Sequence, residues 1–187
     1  DLFSGSGIVA RFLKQHSNFL IANDLELYSK IINECYLTNA NDELKHEISA
    51  ILKGLKANIK ANFAPGFISE LYAPKNDENI KEFERVFYTK FNANYIDTAR
   101  SEIAKLPLSL QKFYLAPLLY LASNHTNTSG VFKGFYKNKN GIGEFGGEGQ
   151  NALKRIKAKI TLKTPVFSNF SCDFKVFQED ANKLVKE

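Results

Sequence analysis

The sequence predicts an α/β fold, an incomplete doubly wound parallel sheet carrying a largely helical insertion. Three observations predict it. Residues 1–7 (DLFSGSG) place an acidic residue at a strand end and then two glycines that let backbone approach a ligand before a helix starts. Residues 18–24 (NFLIAND) are a short, continuous apolar run closed by polar residues, the pattern of a buried parallel strand. Helical spacing flanks that run, through Ile8, Val9, Phe12 and Leu13 before it and Leu27, Ile31, Ile32 and Tyr36 after it. Turn, helix, strand and helix in this order open a doubly wound sheet, with a further strand expected ahead of Asp1.

The remaining elements follow in order. Residues 42–59 form an amphipathic helix capped by Asn41 or Asp42. Pro65-Gly66 and Pro74 mark loops. Residues 79–91, 97–105 and 109–123 read as three more helices, the last kinked or unseated by Pro117. Seven glycines, mixed with aromatics and lysines, break any period over residues 126–149, which read as a long loop or hairpin excursion. Residues 150–159 form a basic helix, residues 172–179 alternate as a strand, and a helix begins at Ala181. Residues 1–40 and 165–187 therefore form a partial core, and residues 41–164 an insertion.

A length of 187 residues fits one domain of about 100–200. With 44% hydrophobic residues it can bury a real core, which excludes a disordered tail, a disulfide miniprotein and a collagen-like chain. No apolar run approaches the ~20 residues of a membrane span, and residues 1–7 lack the basic and apolar regions of a signal peptide. Cys35 and Cys172 stand alone, without CxxC spacing, and read as reduced structural thiols of a cytoplasmic protein. His16, His46 and His125 form no metal motif. Residues 131–163 carry eight basic side chains against two acidic ones, more than the whole excess of +5. Charge gathered in one segment points to a polyanion, or else to a solvated lysine-rich face.

Three acids fall at strand ends. Asp24 lies about 20 residues past the glycine turn, where a carboxylate can bridge ribose hydroxyls. Asp180 ends the last strand, where a carboxylate can accept from an adenine amine. A lone strand-end Asp is usually a helix N-cap, but three in register behind one glycine loop point to a nucleoside site.

These residues resemble a known family. Residues 1–7 are similar to the S-adenosylmethionine motif D-x-F-x-G-S-G of DNA amino-methyltransferases, Asn23-Asp24-Leu25-Glu26 to their following acidic motif, and Phe177-Gln178-Glu179-Asp180-Ala181 to the third cofactor motif. Residues 118–127 (LLYLASNHTN), with Gly130-Val131-Phe132-Lys133 and the excursion to Phe145-Gly146-Gly147, resemble the target-recognition segment of the adenine-specific, Dam-like group. The resemblance spans nearly the whole chain. It implies a Rossmann-like methyltransferase sheet, S-adenosylmethionine as cofactor, and Asp1, Phe3, Gly5, Gly7, Asp24, Leu25 and Asp180 as its contacts. It implies methyl transfer to the exocyclic amine of an adenine flipped from double-stranded DNA, without a metal. It also implies a monomeric modification enzyme with a cognate restriction endonuclease.

For DNA, Asn124, Asn127, Asn138 and Asn140 carry the paired donor and acceptor that suit adenine, though Asn in a glycine-rich loop also serves turn geometry. Lys133, Lys137, Lys154 and Arg155 suit phosphate. Phe132, Phe135, Tyr136 and Phe145 either stack where a base leaves the helix or fasten the loop to the core.

The family's catalytic Asp/Asn-Pro-Pro-Tyr/Phe loop has no counterpart, since no two of the five prolines are adjacent, and no catalytic residue is assigned. The chain is thus expected to be an internal fragment, inactive alone, weak toward S-adenosylmethionine and prone to aggregate through the strand edge at residues 18–22. Two other classes fit the same sequence. One is an RNA or protein methyltransferase; the other is a nucleic-acid-binding module on a Rossmann-like scaffold.

Overall fold

The computed structural model describes residues 1–130 and 133–186. The chain runs α1 (Ile8–Leu13), β1 (Phe19–Asn23), α2 (Leu27–Tyr36), α3 (Asp42–Ala61), α4 (Phe67–Tyr72), α5 (Lys90–Ile103), α6 (Leu108–Asn124), α7 (Leu153–Lys157), β2 (Asp173–Phe177) and α8 (Ala181–Leu184). It divides into two compact units. The first holds residues 1–52, 106–117 and 163–187, and the second residues 53–105 and 118–162.

In the first unit β1 and β2 pair in parallel, from Phe19 opposite Asp173 to Asn23 opposite Phe177. The other edge of β1 is paired as well. The Asp1 nitrogen donates to Ile21 O and its carbonyl accepts from Asn23 N, both at 2.8 Å, which is the alternation of a parallel ladder. On that edge Ile21 O and the N–H and carbonyl of Asn23 therefore have partners. The faces of β1 differ: Leu20 and Ala22 are buried with Ala10, Leu37 and Cys172, and Phe174 and Val176 pack on them, while Phe19 and Ile21 are half exposed. The sequence reads β1 as buried on both faces, yet it alternates instead.

Lys14, at the end of α1, is 2% exposed. Its ammonium donates to Leu37 O at 2.8 Å and Thr38 O at 3.3 Å, which answers carbonyls that the end of α2 leaves open. Burial lowers its pKa. Asn41 caps α3, its Oδ1 accepting from Leu44 N.

Residues 42–52 and 106–117, expected in the insertion, belong to the unit that holds the strands. The Tyr114 hydroxyl donates to Ile48 O at 2.9 Å, and Phe113 meets Phe167 edge-on. Three local expectations also change. Residues 79–89 are irregular rather than helical, because the Glu84 carboxylate accepts from the N–H groups of Lys75 and Lys81. Helix begins at Lys90 instead, where the Thr89 hydroxyl accepts from Asn92 N. The helix α6 runs unbroken through Pro117, with Phe113, Tyr114, Ala116 and Leu118 buried along it, so packing outweighs the roughly 3 kcal/mol a proline costs a helix interior. The basic helix shrinks to the five residues of α7, as Gln150 and Ala152 take positive φ just before it.

In the second unit Val86, Phe145 and Ile156 form a buried cluster on which Ile80, Phe135, Tyr136 and Leu153 pack. The excursion closes as a small antiparallel hairpin, with a bridge between Lys137 and Gly143. Among the described residues no helix is long and apolar enough to cross a membrane.

Candidate functional site

The first unit gathers its acids through one side chain. Asn23, at the end of β1, is 1% exposed, and its Nδ2 donates to Leu2 O at 3.1 Å and to Glu179 O at 3.0 Å. Its Oδ1 accepts from Glu179 N at 3.1 Å. The segment after Asp1, the end of β1 and the residue before Asp180 are thereby tied together, and all three strand-end acids come to one end of the sheet.

Above that tie sits the glycine turn. Gly5 and Gly7 have φ of 48° and 70°, a region that only glycine enters freely. Gly5 N donates to Asp24 Oδ2 at 2.8 Å, and Glu26 N donates to Asp24 Oδ1 at 3.0 Å. Asp24 thus clamps the turn to the start of α2. The Glu26 N–H, helped by that of Gly5, holds its carboxyl below the usual carboxylate range against the opposing effect of burial. Each oxygen still has acceptor capacity. Nothing stands within 4 Å of a Cβ built on Gly5, so the turn opens onto free space. Phe3 and Leu25 flank it, 79% and 66% exposed. Asp180 is exposed and caps α8 by accepting from Asn182 N at 2.8 Å, the capping role a strand-end Asp commonly plays.

The second-unit candidates separate into two sets. Asn127 is fully buried, its Nδ2 donating to Val86 O at 2.7 Å and Glu144 O at 3.0 Å, and its Oδ1 accepting from Gly146 N at 2.9 Å. That amide is spent on the scaffold and has no edge for a base. The Arg155 guanidinium donates to the carbonyls of Asn124, Thr126 and Thr128, so it clamps the chain rather than waiting for a phosphate. Asn138 serves turn geometry, its Oδ1 accepting from Asn140 N and Ile142 N. Phe145 is buried and Phe135 meets Phe87 edge-on, so both fasten the loop to the core. Phe132 lies outside the described residues.

The second set is free to meet a ligand. Lys133, Lys137, Lys139 and Lys154 are exposed. Lys137, Lys157 and Lys159 ride over the rings of Phe135, Phe145 and Phe91 at 4.8–5.7 Å. In the same unit an open pocket of about 500 Å³ has a mixed lining that includes Tyr120, Ser123, Asn124, Thr128, Tyr136 and Arg155. The half-buried Asn124 is the one candidate asparagine on this lining.

Sequence reasoning missed Asn23, Ser4, Ser29 and Asn33, whose roles rest on contacts up to 156 residues apart. The signals for Asn23 were its place closing an apolar strand and at the head of the Asn23-Asp24-Leu25-Glu26 motif, neither of which announces its bonds.

The type II methyltransferase M.NlaIII of Neisseria lactamica is 31% identical over 194 residues, a match to all of this chain and 51% of that protein. The type II methyltransferase M.CviAII of Paramecium bursaria Chlorella virus 1 is 28% identical over 98% of the chain and 51% of its own length. The modification methylase LlaI of Lactococcus lactis subsp. lactis is 27% identical over all of the chain and 29% of its own length. The chain spans about half the length of the first two relatives. No solved structure matches it. A family model, described as D12 class N6 adenine-specific DNA methyltransferase, matches residues 1–187, and the chain belongs to that family.

Proposed function

We propose that this chain supplies the cofactor turn and the DNA-holding surface of a site-specific adenine methyltransferase, the modification half of a restriction system. The observation that carries it is the strand-end cradle, in which Gly5 N and Asp24 Oδ2 meet at 2.8 Å above the Asn23 tie. Such a crevice, outside the carboxyl ends of parallel strands, is where Rossmann-like sheets take nucleosides.

The residues fit S-adenosylmethionine. Asp24 would hold the ribose hydroxyls on the acceptor capacity left beside its bonds from Gly5 N, Glu26 N and the Ser29 hydroxyl. Phe3 and Leu25 offer apolar area to the adenine, Asp180 an acceptor for its amine, and the open side of Gly5 admits the rest of the molecule. Asp1 lies at the same sheet end through its pairing with β1, and the turn at Gly7 fixes where α1 begins. When bound, this cofactor supplies the sulfonium methyl that passes to the adenine amine. The chain's own part is to bind and orient it. No residue is assigned to catalysis.

Double-stranded DNA is held by the exposed lysines at 133, 137, 139, 154, 157 and 159, whose phosphate contacts give affinity without sequence preference. Asn124, half-buried on the pocket lining, and the exposed Asn140 are the base-reading candidates whose side chains the scaffold leaves available. Two buried thiols suit a reducing, cytoplasmic setting. A monomer paired with a separate endonuclease completes the proposal.

Calorimetric titration with S-adenosylmethionine, followed by duplex DNA at several salt concentrations, tests it. Saturable cofactor binding with salt-dependent duplex binding is expected. Duplex binding without any cofactor binding would leave a nucleic-acid-binding module, and stronger binding to RNA would redirect the substrate.

A further inference from the structure

We infer that Asn33 is a positioning residue for the cofactor turn, a role that rests on the function proposed above. It sits in α2, nine residues beyond Asp24, and is 1% exposed. Its Nδ2 donates to Ser4 Oγ at 3.0 Å and to Ser29 O at 2.9 Å, with Ser29 Oγ at 3.3 Å.

Two arms leave this amide. One runs through Ser4, whose hydroxyl donates to Asn23 O at 2.9 Å and whose carbonyl accepts from Gly7 N at 2.7 Å. The other runs through Ser29, fully buried, whose hydroxyl also reaches the Asp24 carboxylate. Asn33 thereby bonds the turn through Ser4 and is linked through the Ser29 hydroxyl to the acid that clamps it.

Its other end is keyed to Gly7. A Cβ built on Gly7 would fall 2.7 Å from Asn33 Oδ1, closer than real contacts allow, and Asn33 is too enclosed to retreat. Glycine at position 7 thus has two independent causes, its φ of 70° and this approach. Asn33 Oδ1 is buried with no hydrogen-bond partner among the described residues. A well-packed core does not keep an orphan acceptor without cause. Here the amide holds the first residue of the turn by donation and the last by contact, so the shape of the turn is set before a ligand arrives.

Calorimetric titration of the chain with S-adenosylmethionine tests the role, using Asn33→Ala, Ser4→Ala, Gly7→Ala, the Gly7→Ala/Asn33→Ala double variant and Asp24→Ala. Asn33→Ala and Ser4→Ala should each weaken binding about tenfold. Gly7→Ala should cost at least about threefold less in the Asn33→Ala background than alone, because the clash is gone. A general loss of stability would leave the two losses additive, and additivity overturns the role. Circular dichroism checks folding; if Asn33→Ala does not fold, Ser4→Ala, which deletes one oxygen, decides the matter. Weakened binding in Asp24→Ala with unchanged binding in Asn33→Ala and Ser4→Ala overturns this inference and leaves the cofactor site. Unchanged binding in all of them, or no saturable binding at all, overturns both.

Discussion

The turn at residues 1–26 and the excursion at residues 124–149 are each organised by a buried asparagine, Asn23 in one and Asn127 in the other. They differ in what that leaves free. In the turn, the polar atoms that face the open side already hold backbone: Asp24 takes two N–H groups and still presents a carboxylate, and Gly5 gives its N–H to that carboxylate. In the excursion, the polar groups of Asn127, Asn138 and Arg155 are consumed by the scaffold, and the free chemistry is a set of lysines standing in solvent or on aromatic rings. Rigid, bonded groups suit recognition of one small molecule. Mobile point charges suit a uniform phosphate backbone.

The largest expected effect tests the scaffold side of this contrast. Asn127→Ala would strip partners from the Val86 and Glu144 carbonyls and from Gly146 N, all tied at the buried amide. With roughly 1–3 kcal/mol for each buried group left unpaired, a loss of about 3–5 kcal/mol in urea unfolding is expected. A loss near that of a surface substitution would return Asn127 to the base-reading set.

Next in size is Asp24→Ala, expected to weaken S-adenosylmethionine binding by roughly 1.5–3 kcal/mol, the scale of hydrogen bonds to a charged group. Unchanged affinity in a folded variant would reduce Asp24 to a clamp between the turn and α2. The contrast would then vanish, since both asparagine-centred regions would be scaffold alone.

A gentler effect is expected from the lysines. Replacing Lys154, Lys157 and Lys159 by Gln should flatten the slope of log K against log salt by about 0.9 for each lysine that meets a phosphate. Arg155→Gln belongs to the other class. It should leave the slope alone and cost about 1–3 kcal/mol of stability, because three carbonyls lose their donor. An Arg155 variant that changes the slope like a lysine variant would break the division.

Which of these features the sequence disclosed follows from their range. The strands β1 and β2, the helices α2 and α8 and the glycine turn are written in local pattern, and each lies within a few residues of its expected place. The irregular stretch before α5 was not legible, because Glu84 captures N–H groups nine and three residues away that a helical pattern would have used. Asn127 and Arg155 look like DNA-facing residues in the sequence because charge and polarity are local, whereas the carbonyls that consume them come from 17–41 residues away. Asp24 was legible as a candidate for the site since its bonding neighbours Gly5 and Glu26 belong to the same motifs. Ser29 and Asn33 beneath it were not, since nothing in a helical serine and asparagine announces a turn 25–29 residues earlier.

The smallest expected effect is at Cys35, and it separates the two regions by reactivity. Cys35 is 0% exposed, and burial pushes its thiol up to about 12, against weaker opposing effects from Lys112 and Arg11. A thiol raised in the folded state favours folding fully below its ordinary value near 9, and that contribution fades as pH rises from there toward 12. The thiolate is the reactive form, so at pH 8 the folded chain should hardly react with iodoacetamide at Cys35, and the rate should follow opening of the first unit. The exposed lysines at 133, 154 and 157 should acylate at once under mild conditions, and duplex DNA should shield them. Peptide mass spectrometry reads both in one sample. Rapid labelling of Cys35 in native buffer would mean that the first unit opens readily, and a turn built on it would not then be pre-shaped for a cofactor.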